Sequence, residues 1–277
     1  MGEIRAWKYR LYPSKSQKEQ LNNYLYTCKN LWNSLLEYTK MYYRETKKFP
    51  SRKELYKLTK ETELFSQIAQ NVADKLIKSI FFMIKKIKSG KKVGFPRFKS
   101  IERMKSFVYP QFGFKLDNKL VLSGIGAISI KKHRQIRGEI KTLTVKKSLS
   151  GKFFAIFTTD FETTKVQNNG PKIGIDLGIE HLAYLSSGEA IENPRYLKQA
   201  EQKLKDAHQS LSRKKKNSKN RKKAKLKVSV AYEKLANKRR DFLHKVSRSL
   251  VDKYSLIALE NLNVAGLART YLAKNVY

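Results

Sequence analysis

The stretch Lys172-Ile-Gly-Ile-Asp-Leu-Gly-Ile179 sets Asp176 between two glycines near the end of a short apolar run. A second run, Ser255-Leu-Ile-Ala-Leu-Glu-Asn-Leu262, leads into Glu260. Apolar runs of this length, bounded by Gly or polar residues, predict buried central strands. A carboxylate at the end of such a strand is costly to desolvate unless a cation or a hydrogen-bonding partner meets it. Two strands that each deliver one acid therefore predict a metal half-site. Magnesium suits it, being held by one or two carboxylates, water and substrate phosphate. The plainer alternatives are an acid on an exposed strand end for Glu260 and a turn aspartate for Asp176.

Between the two runs lie His181-Leu-Ala-Tyr-Leu, a Ser187-Gly188 turn, Glu189-Ala-Ile and, from about Tyr196, a long helical segment. Strands, helices and a returning strand follow the order of an RNase H-like sheet, in which the first and fourth strands are neighbours and aim two acids at one cation. The stripe Leu235, Phe242, Val246, Leu250 and Tyr254 predicts a long helix packed on that sheet. An actin-like phosphate loop at Gly174–Gly178 shares the fold, but it wants a second glycine-rich loop that this sequence lacks.

Upstream, the periodicity is first helical. Ser14 and Gln17 form a capping box ahead of Leu21, Leu25, Cys28, Trp32 and Leu35, spaced by fours and threes; Ser51 and Glu54 form another; Ile68, Val72, Leu76, Ile80, Met83 and Ile87 make a third face. From Lys105 to Glu162 the period becomes two, with turn pairs at Asp117-Asn118, Ser123-Gly124, Arg137-Gly138 and Ser150-Gly151. This pattern predicts an antiparallel barrel. The opening Ile4-Arg-Ala-Trp-Lys-Tyr-Arg-Leu11 also alternates and joins the barrel from before the helices. The chain is thus expected to be an α+β multidomain protein. A β-barrel comprises 1–12 and 91–165, a helical bundle is inserted over 13–90, and an α/β domain spans 166–277 with a basic helical insertion over 196–254. The polar stretch from Thr163 to Pro171 is the linker candidate.

Charge names the partner class. Sixty Lys and Arg against 23 Asp and Glu give a formal net charge of +37 on 277 residues, self-repulsion that calls for a polyanion, nucleic acid first. No apolar stretch reaches a bilayer span, and Met1-Gly-Glu-Ile-Arg5 shows neither a signal-peptide core nor a lipidation signal, so a cytoplasmic protein without membrane contact is expected. The lone Cys28 rules out an internal disulfide or a cysteine-based zinc site within these residues, and its place on a helical stripe predicts a buried thiol. Residues 213–227 carry ten basic side chains and no acid: Arg213, Lys214, Lys215, Lys216, Lys219, Arg221, Lys222, Lys223, Lys225 and Lys227. Such a block is expected to order against phosphates, the alternative being a solvated loop. Phe95 and Phe98 in Lys91-Lys-Val-Gly-Phe-Pro-Arg-Phe-Lys99 are expected to pack, while Arg97 and Lys99 are candidate phosphate ligands. Gln70 and Asn71 carry amides able to read base edges, although surface amides are common.

Several of these segments resemble TnpB proteins, the transposon-encoded relatives of type V CRISPR effectors. Lys8-Tyr-Arg-Leu-Tyr-Pro-Ser-Lys-Ser-Gln17, Gly94-Phe-Pro-Arg-Phe-Lys99, Gly174-Ile-Asp-Leu-Gly178, Leu211-Ser-Arg-Lys214 with Ser218-Lys-Asn-Arg221, Arg239-Arg-Asp-Phe-Leu-His-Lys245 and Glu260-Asn-Leu-Asn263 occur in the family's order over essentially the whole chain. The resemblance implies a wedge barrel interrupted by a helical recognition region, then a RuvC-like domain. It also implies a structured guide RNA that pairs with double-stranded target DNA in a prokaryotic, nucleoid-associated setting. Asp176 and Glu260 would be the first two RuvC acids, Lys8 and Arg10 nucleic-acid contacts, and the helix bearing Gln70, Asn71 and Lys75 the reader of the short motif beside the target.

Members of the family carry a four-cysteine zinc ribbon and a third catalytic aspartate beyond Glu-Asn-Leu-Asn; the 17 residues after Glu260 include no acid and no cysteine. The expectation is an incomplete RuvC domain: an RNA-guided DNA-binding protein deficient as a nuclease that acts by occupying its target, as a transcriptional repressor does, with no zinc and weak magnesium binding. The rivals are an active transposon endonuclease of which this is a trimmed form and, from another class, an unguided basic RNA-binding protein.

Overall fold

The computed structural model describes residues 3–161, 168–267 and 269. The chain divides into two compact units at Thr163 and Thr164. In the first unit, strand β1 (Glu3–Tyr12) is followed by three helices, α1 (Lys15–Thr46), α2 (Arg52–Thr59) and α3 (Ser66–Lys88). Six strands complete it: β2 (Ser106–Tyr109), β3 (Phe114–Leu116), β4 (Lys119–Leu122), β5 (Gly126–Lys131), β6 (Glu139–Lys147) and β7 (Phe153–Phe161).

Both expected capping boxes are present: the Gln17 and Glu54 amides donate to the hydroxyls of Ser14 and Ser51, and the side chains of Gln17 and Glu54 accept from the serine amides in return. Each box satisfies two of the amides that a helix start leaves without partners. From there α1 buries Leu21, Leu25, Cys28, Trp32 and Leu35 on one face, and α3 buries Ile68, Val72, Leu76, Ile80 and Met83. Ile87, expected on the same stripe, is 50% exposed in the last turn. A bidentate pair ties α2 to α3: Arg52 meets Asp74 at 3.0 Å, and the Tyr56 hydroxyl donates to the same carboxylate at 2.8 Å.

The seven strands form one antiparallel sheet in the order β2-β6-β7-β1-β5-β4-β3. β1 holds a central place, in register with β7 from Glu3 opposite Phe161 to Leu11 opposite Phe153. Its alternation turns Trp7, Tyr9 and Leu11 into the core, where the Trp7 indole donates to the Thr159 hydroxyl at 2.8 Å. The sheet curls until Tyr109 at the end of β2 meets Phe114 of β3, ring centroids 6.2 Å apart, and the Tyr109 hydroxyl donates to the Ser123 carbonyl. The expected barrel is therefore nearly reached, but ring packing rather than a ladder bridges the seam between its edge strands among the described residues.

The second unit opens on β8 (Lys172–Leu177), β9 (His181–Leu185) and β10 (Ala190–Glu192), continues as the helical hairpin α4 (Tyr196–Ser212) and α5 (Lys219–Lys253), and returns as β11 (Leu256–Leu259) before a turn of helix, α6 (Val264–Leu267). The sheet order is β10-β9-β8-β11, with β11 parallel to β8 and the other pairs antiparallel. Ile173, Ile175, Ala183, Leu185 and Tyr254 form its core. Of the linker candidate, residues up to 167 lie outside the described part. Asn168 itself is a staple: its amide nitrogen donates to the carbonyls of Val251, Asp252 and Tyr254 at 2.8–3.1 Å, capping the end of α5. Gly170 lies so close that a Cβ there would sit 2.1 Å from the Lys253 carbonyl oxygen, so this approach needs glycine.

Two measurements check this packing. Leu76 is fully buried in the largest core, so Leu76→Ala is expected to lower the unfolding free energy by about 2–5 kcal/mol in chemical denaturation. Burial pushes the Cys28 thiol up to about 12, so iodoacetamide at pH 8 is expected to leave the native chain unmodified and to alkylate the denatured chain fully.

Candidate metal half-site and nucleic-acid interface

Register brings the two acids together. Leu259 pairs with Ile175 in the parallel ladder, so the next residue along each path is Glu260 on one side and Asp176 on the other. Neighbouring strands are about 4.8 Å apart, and alternation sends Ile173 and Ile175 into the core while Gly174 and Asp176 take the opposite face. On that face Gly174, Ser186 and Ala258 help to line a solvent-open cleft of about 540 Å³ with Tyr184, Asp176 and Glu260 at its rim. The Gly174 amide donates to the Ser186 hydroxyl at 3.1 Å, fixing the floor. Gly178 follows at a turn where a Cβ would come within 2.9 Å of the His181 carbonyl oxygen.

Both carboxylates are exposed, and among the described residues neither is paired with a cation. In a chain carrying +37, two neighbouring acids without a basic partner form an isolated negative spot that favours a divalent cation. Two carboxylates with water fit one magnesium ion, which would supply a polarised phosphate oxygen or an acidified water. No third His, Cys, Asp or Glu joins them in one cluster among the described residues. The expectation that both strands are buried holds for β8, which is central; β11 is the edge of the described sheet, with Leu256 and Leu259 at least half exposed.

The basic tract forms the tip of the α4–α5 hairpin. Ser218 caps α5, accepting from the Arg221 amide at 3.0 Å, and Asn217 takes a positive φ of 63° to turn the chain. The first turn of α5 then holds Lys219, Arg221 and Lys222 with no acid, opposite to what the helix dipole favours. Arg213, Lys214, Lys215, Lys216, Lys219, Lys222 and Lys223 are exposed, as phosphate ligands must be. Arg221 differs. Its guanidinium donates to the carbonyls of Leu211 and Lys214 at 3.0 and 2.9 Å, so it closes the hairpin and satisfies carbonyls at the end of α4.

On the first unit, Lys8 and Arg10 share one ring: the Lys8 ammonium lies 4.2 Å from the centroid of Phe154 and the Arg10 guanidinium 5.3 Å. Register extends the row, since Phe154 pairs with both Lys146 and Arg10, and Arg10 pairs with Lys131. Lys131, Lys146 and Phe154 escaped sequence reasoning because only long-range pairing shows that they stand beside Arg10. The motif-reading set divides. Gln70 is partly exposed, whereas Lys75 is turned toward the Cys28 side of α1, where desolvation lowers its pKa and Cys28 raises it; Asn71 keeps a buried side-chain oxygen without a hydrogen-bond partner. Asn71 as a whole is partly exposed, as Gln70 is, with that one oxygen shielded. Lys99 is half-buried, and the Arg97 side chain is exposed with its carbonyl held by the Trp32 indole at 3.2 Å.

Comparison with known proteins gives the family. Residues 154–270 match the OrfB_IS605 family model, described as "Probable transposase", and residues 1–48 match its companion HTH_OrfB_IS605, described as a helix-turn-helix domain. In this structure the companion region is a strand and one long helix, β1 and α1. The "Putative RNA-guided DNA endonuclease InsQ" of Escherichia coli (strain K12) is 28% identical over 98% of this chain and 69% of its own length. A "Putative RNA-guided DNA endonuclease" of Streptomyces pristinaespiralis is 29% identical over 96% of this chain and 68% of its own. A Cas12f1 chain solved with guide RNA and target DNA overlaps 95% of this chain and 74% of its own at 15% identity and a TM-score of 0.40. The two matched family models, with these relatives aligned over nearly all of this chain and about two thirds of their own length, identify the chain as a member of the OrfB family of IS605-type transposon proteins, the TnpB family.

Proposed function

We propose that this chain binds a structured guide RNA and, through base pairing by that RNA, a double-stranded DNA target. Within that assembly Asp176 and Glu260 form a magnesium half-site. The observation that carries the reading is the pair of carboxylates brought into register by β8 and β11 within a strongly basic chain. The names of the InsQ and Streptomyces relatives support the guided mode. In this reading 1–12 and 91–165 form the wedge, 13–90 the recognition bundle and 166–277 a RuvC-like domain, and the protein works on the nucleoid of a prokaryotic cytoplasm. The insertion of α1–α3 between β1 and β2 supports the first division, and the order β10-β9-β8-β11 supports the last.

Guide pairing supplies sequence discrimination while the protein contributes charge and shape recognition. Two carboxylates suit one cation, whereas phosphodiester hydrolysis by a two-metal clamp needs both ions fixed in number and position. On the two acids placed together among the described residues, the reading proposed here is target occupancy, of the kind that blocks a promoter. The second reading is active endonuclease chemistry, favoured by the names of the relatives.

Purification from cells is expected to recover one discrete bound RNA. With that RNA and a matching duplex in magnesium, a stable gel shift without strand scission is expected. Site-specific cutting would replace occupancy with the endonuclease reading, and absence of bound RNA would sink both. Asp176→Ala and Glu260→Gln are expected to leave duplex affinity within about twofold, because neither acid contacts the polyanion favourably. Replacing Lys214, Lys215 and Lys216 together by Ala is expected to lower the slope of log affinity against log salt by about 2–3. An unchanged slope would remove the hairpin tip from the interface.

A further inference from the structure

A cleft of about 430 Å³ lies between α1, α3 and the loop at 94–99. This is within the roughly 300–1,000 Å³ typical of small-ligand sites. Its walls combine the rings of Trp32, Phe82 and Phe98 with the cations of Lys86, Arg97, Lys99 and Arg103, and no carboxylate lines it. Phe82 is 59% exposed and Phe98 48%, although the neighbouring Phe95 packs on Tyr43 and Phe49 with centroids 5.6 and 6.0 Å away. Packing explains Phe95 and leaves the other two rings without that role.

The floor is built. The Trp32 indole donates to the Arg97 carbonyl, and the Asn33 side chain brackets Lys99, accepting from its amide at 2.8 Å and donating to its carbonyl at 3.0 Å. The Lys99 ammonium is thereby held 3.3 Å from the centroid of Trp32. Desolvation, and then the nearby Lys75, bring Lys99 down to about 8, with Cys28 opposing weakly. Lys86 and Lys40 lie 4.5 Å from the rings of Phe82 and Phe98. A half-buried ammonium beside a second lysine is destabilised by lost hydration and like charge until an anion reaches it.

We propose that this cleft takes one unpaired nucleotide of the bound nucleic acid, its base against Phe82 and Phe98 and its phosphate against Lys99 and Arg103. The inference rests on the nucleic-acid-binding reading above and names a site within it. Stacking on aromatic rings tolerates any base, so the cleft holds a strand position rather than reading sequence.

Single-stranded 12-mers, ribo and deoxyribo, carrying 5-iodouracil at each position in turn provide the test with the full chain. Photo-crosslinks mapped by mass spectrometry are expected at Phe82 or Phe98. Phe98→Ala, which spares the core, is expected to abolish the Phe98 adduct and weaken binding about tenfold. As Lys99 loses its proton, affinity is expected to fall between pH 7 and pH 9, and Lys99→Arg to remove that decline while keeping the neutral-pH affinity. A chain that binds the oligonucleotide but crosslinks only elsewhere, or binds equally well without Phe82 and Phe98, overturns this inference and leaves the guided reading standing. A chain that binds no oligonucleotide overturns both.

Discussion

The parallel pairing of β11 with β8 is the constraint on which the functional reading depends. Eighty-odd residues of chain separate Asp176 from Glu260, and nothing local relates them. They become neighbours because Leu256–Leu259 lie beside Lys172–Ile175 in one register. A slip of one residue would turn Glu260 to the face occupied by Ile175 and separate the acids. Three features around the Asn168 staple hold that register: the carbonyls at the end of α5, the close approach of Gly170 to Lys253, and the Ser255 amide donating to the Pro171 carbonyl at 3.1 Å. The end of α5 and the start of β8 are therefore locked together before either acid is placed.

Charge is organised against local preference at several points. Lysines and an arginine occupy the positive end of the α5 dipole, three cations and one ring share a row across the first sheet, and two lysines approach one another beneath the loop at 94–99. Like charges brought this close repel one another, and a bound anion is the partner that offsets such repulsion. The carboxylates form the complementary exception, an acidic pair without basic neighbours among the described residues.

Local features were legible in the sequence, and non-local ones were not. The capping boxes at Ser14 and Ser51, the faces of α1 and α3 and the turn pairs between β3 and β7 follow from contacts within four residues, and they reappear in the structure. The central place of β1 was foreshadowed only by its alternation. The row formed by Lys146, Phe154, Arg10 and Lys131 depends on pairings across more than a hundred residues, so no window of sequence contains it. Arg221 looks like any other cation of its tract until the carbonyls of Leu211 and Lys214 come within reach. The desolvation of Lys75 beside Cys28 is likewise non-local, since a pattern of types cannot tell which side of a helix meets α1. Ile87 continues the apolar stripe in sequence, yet in the last turn of α3 it is half exposed.

The position of β1 has a consequence for how this protein comes into being. The strand leaves the ribosome ahead of its partners β5 and β7, which begin more than a hundred residues later. Until they are synthesised, an amphipathic segment with Trp7, Tyr9 and Leu11 on one side and open amide edges on both must wait, while α1, α2 and α3 form from local contacts alone. High contact order of this kind slows folding and exposes strand edges to wrong partners. The helices between β1 and β2 thus act as an early-folding intermission, and translation speed across residues 106–161 governs how long the first strand stays open to chaperones and to aggregation.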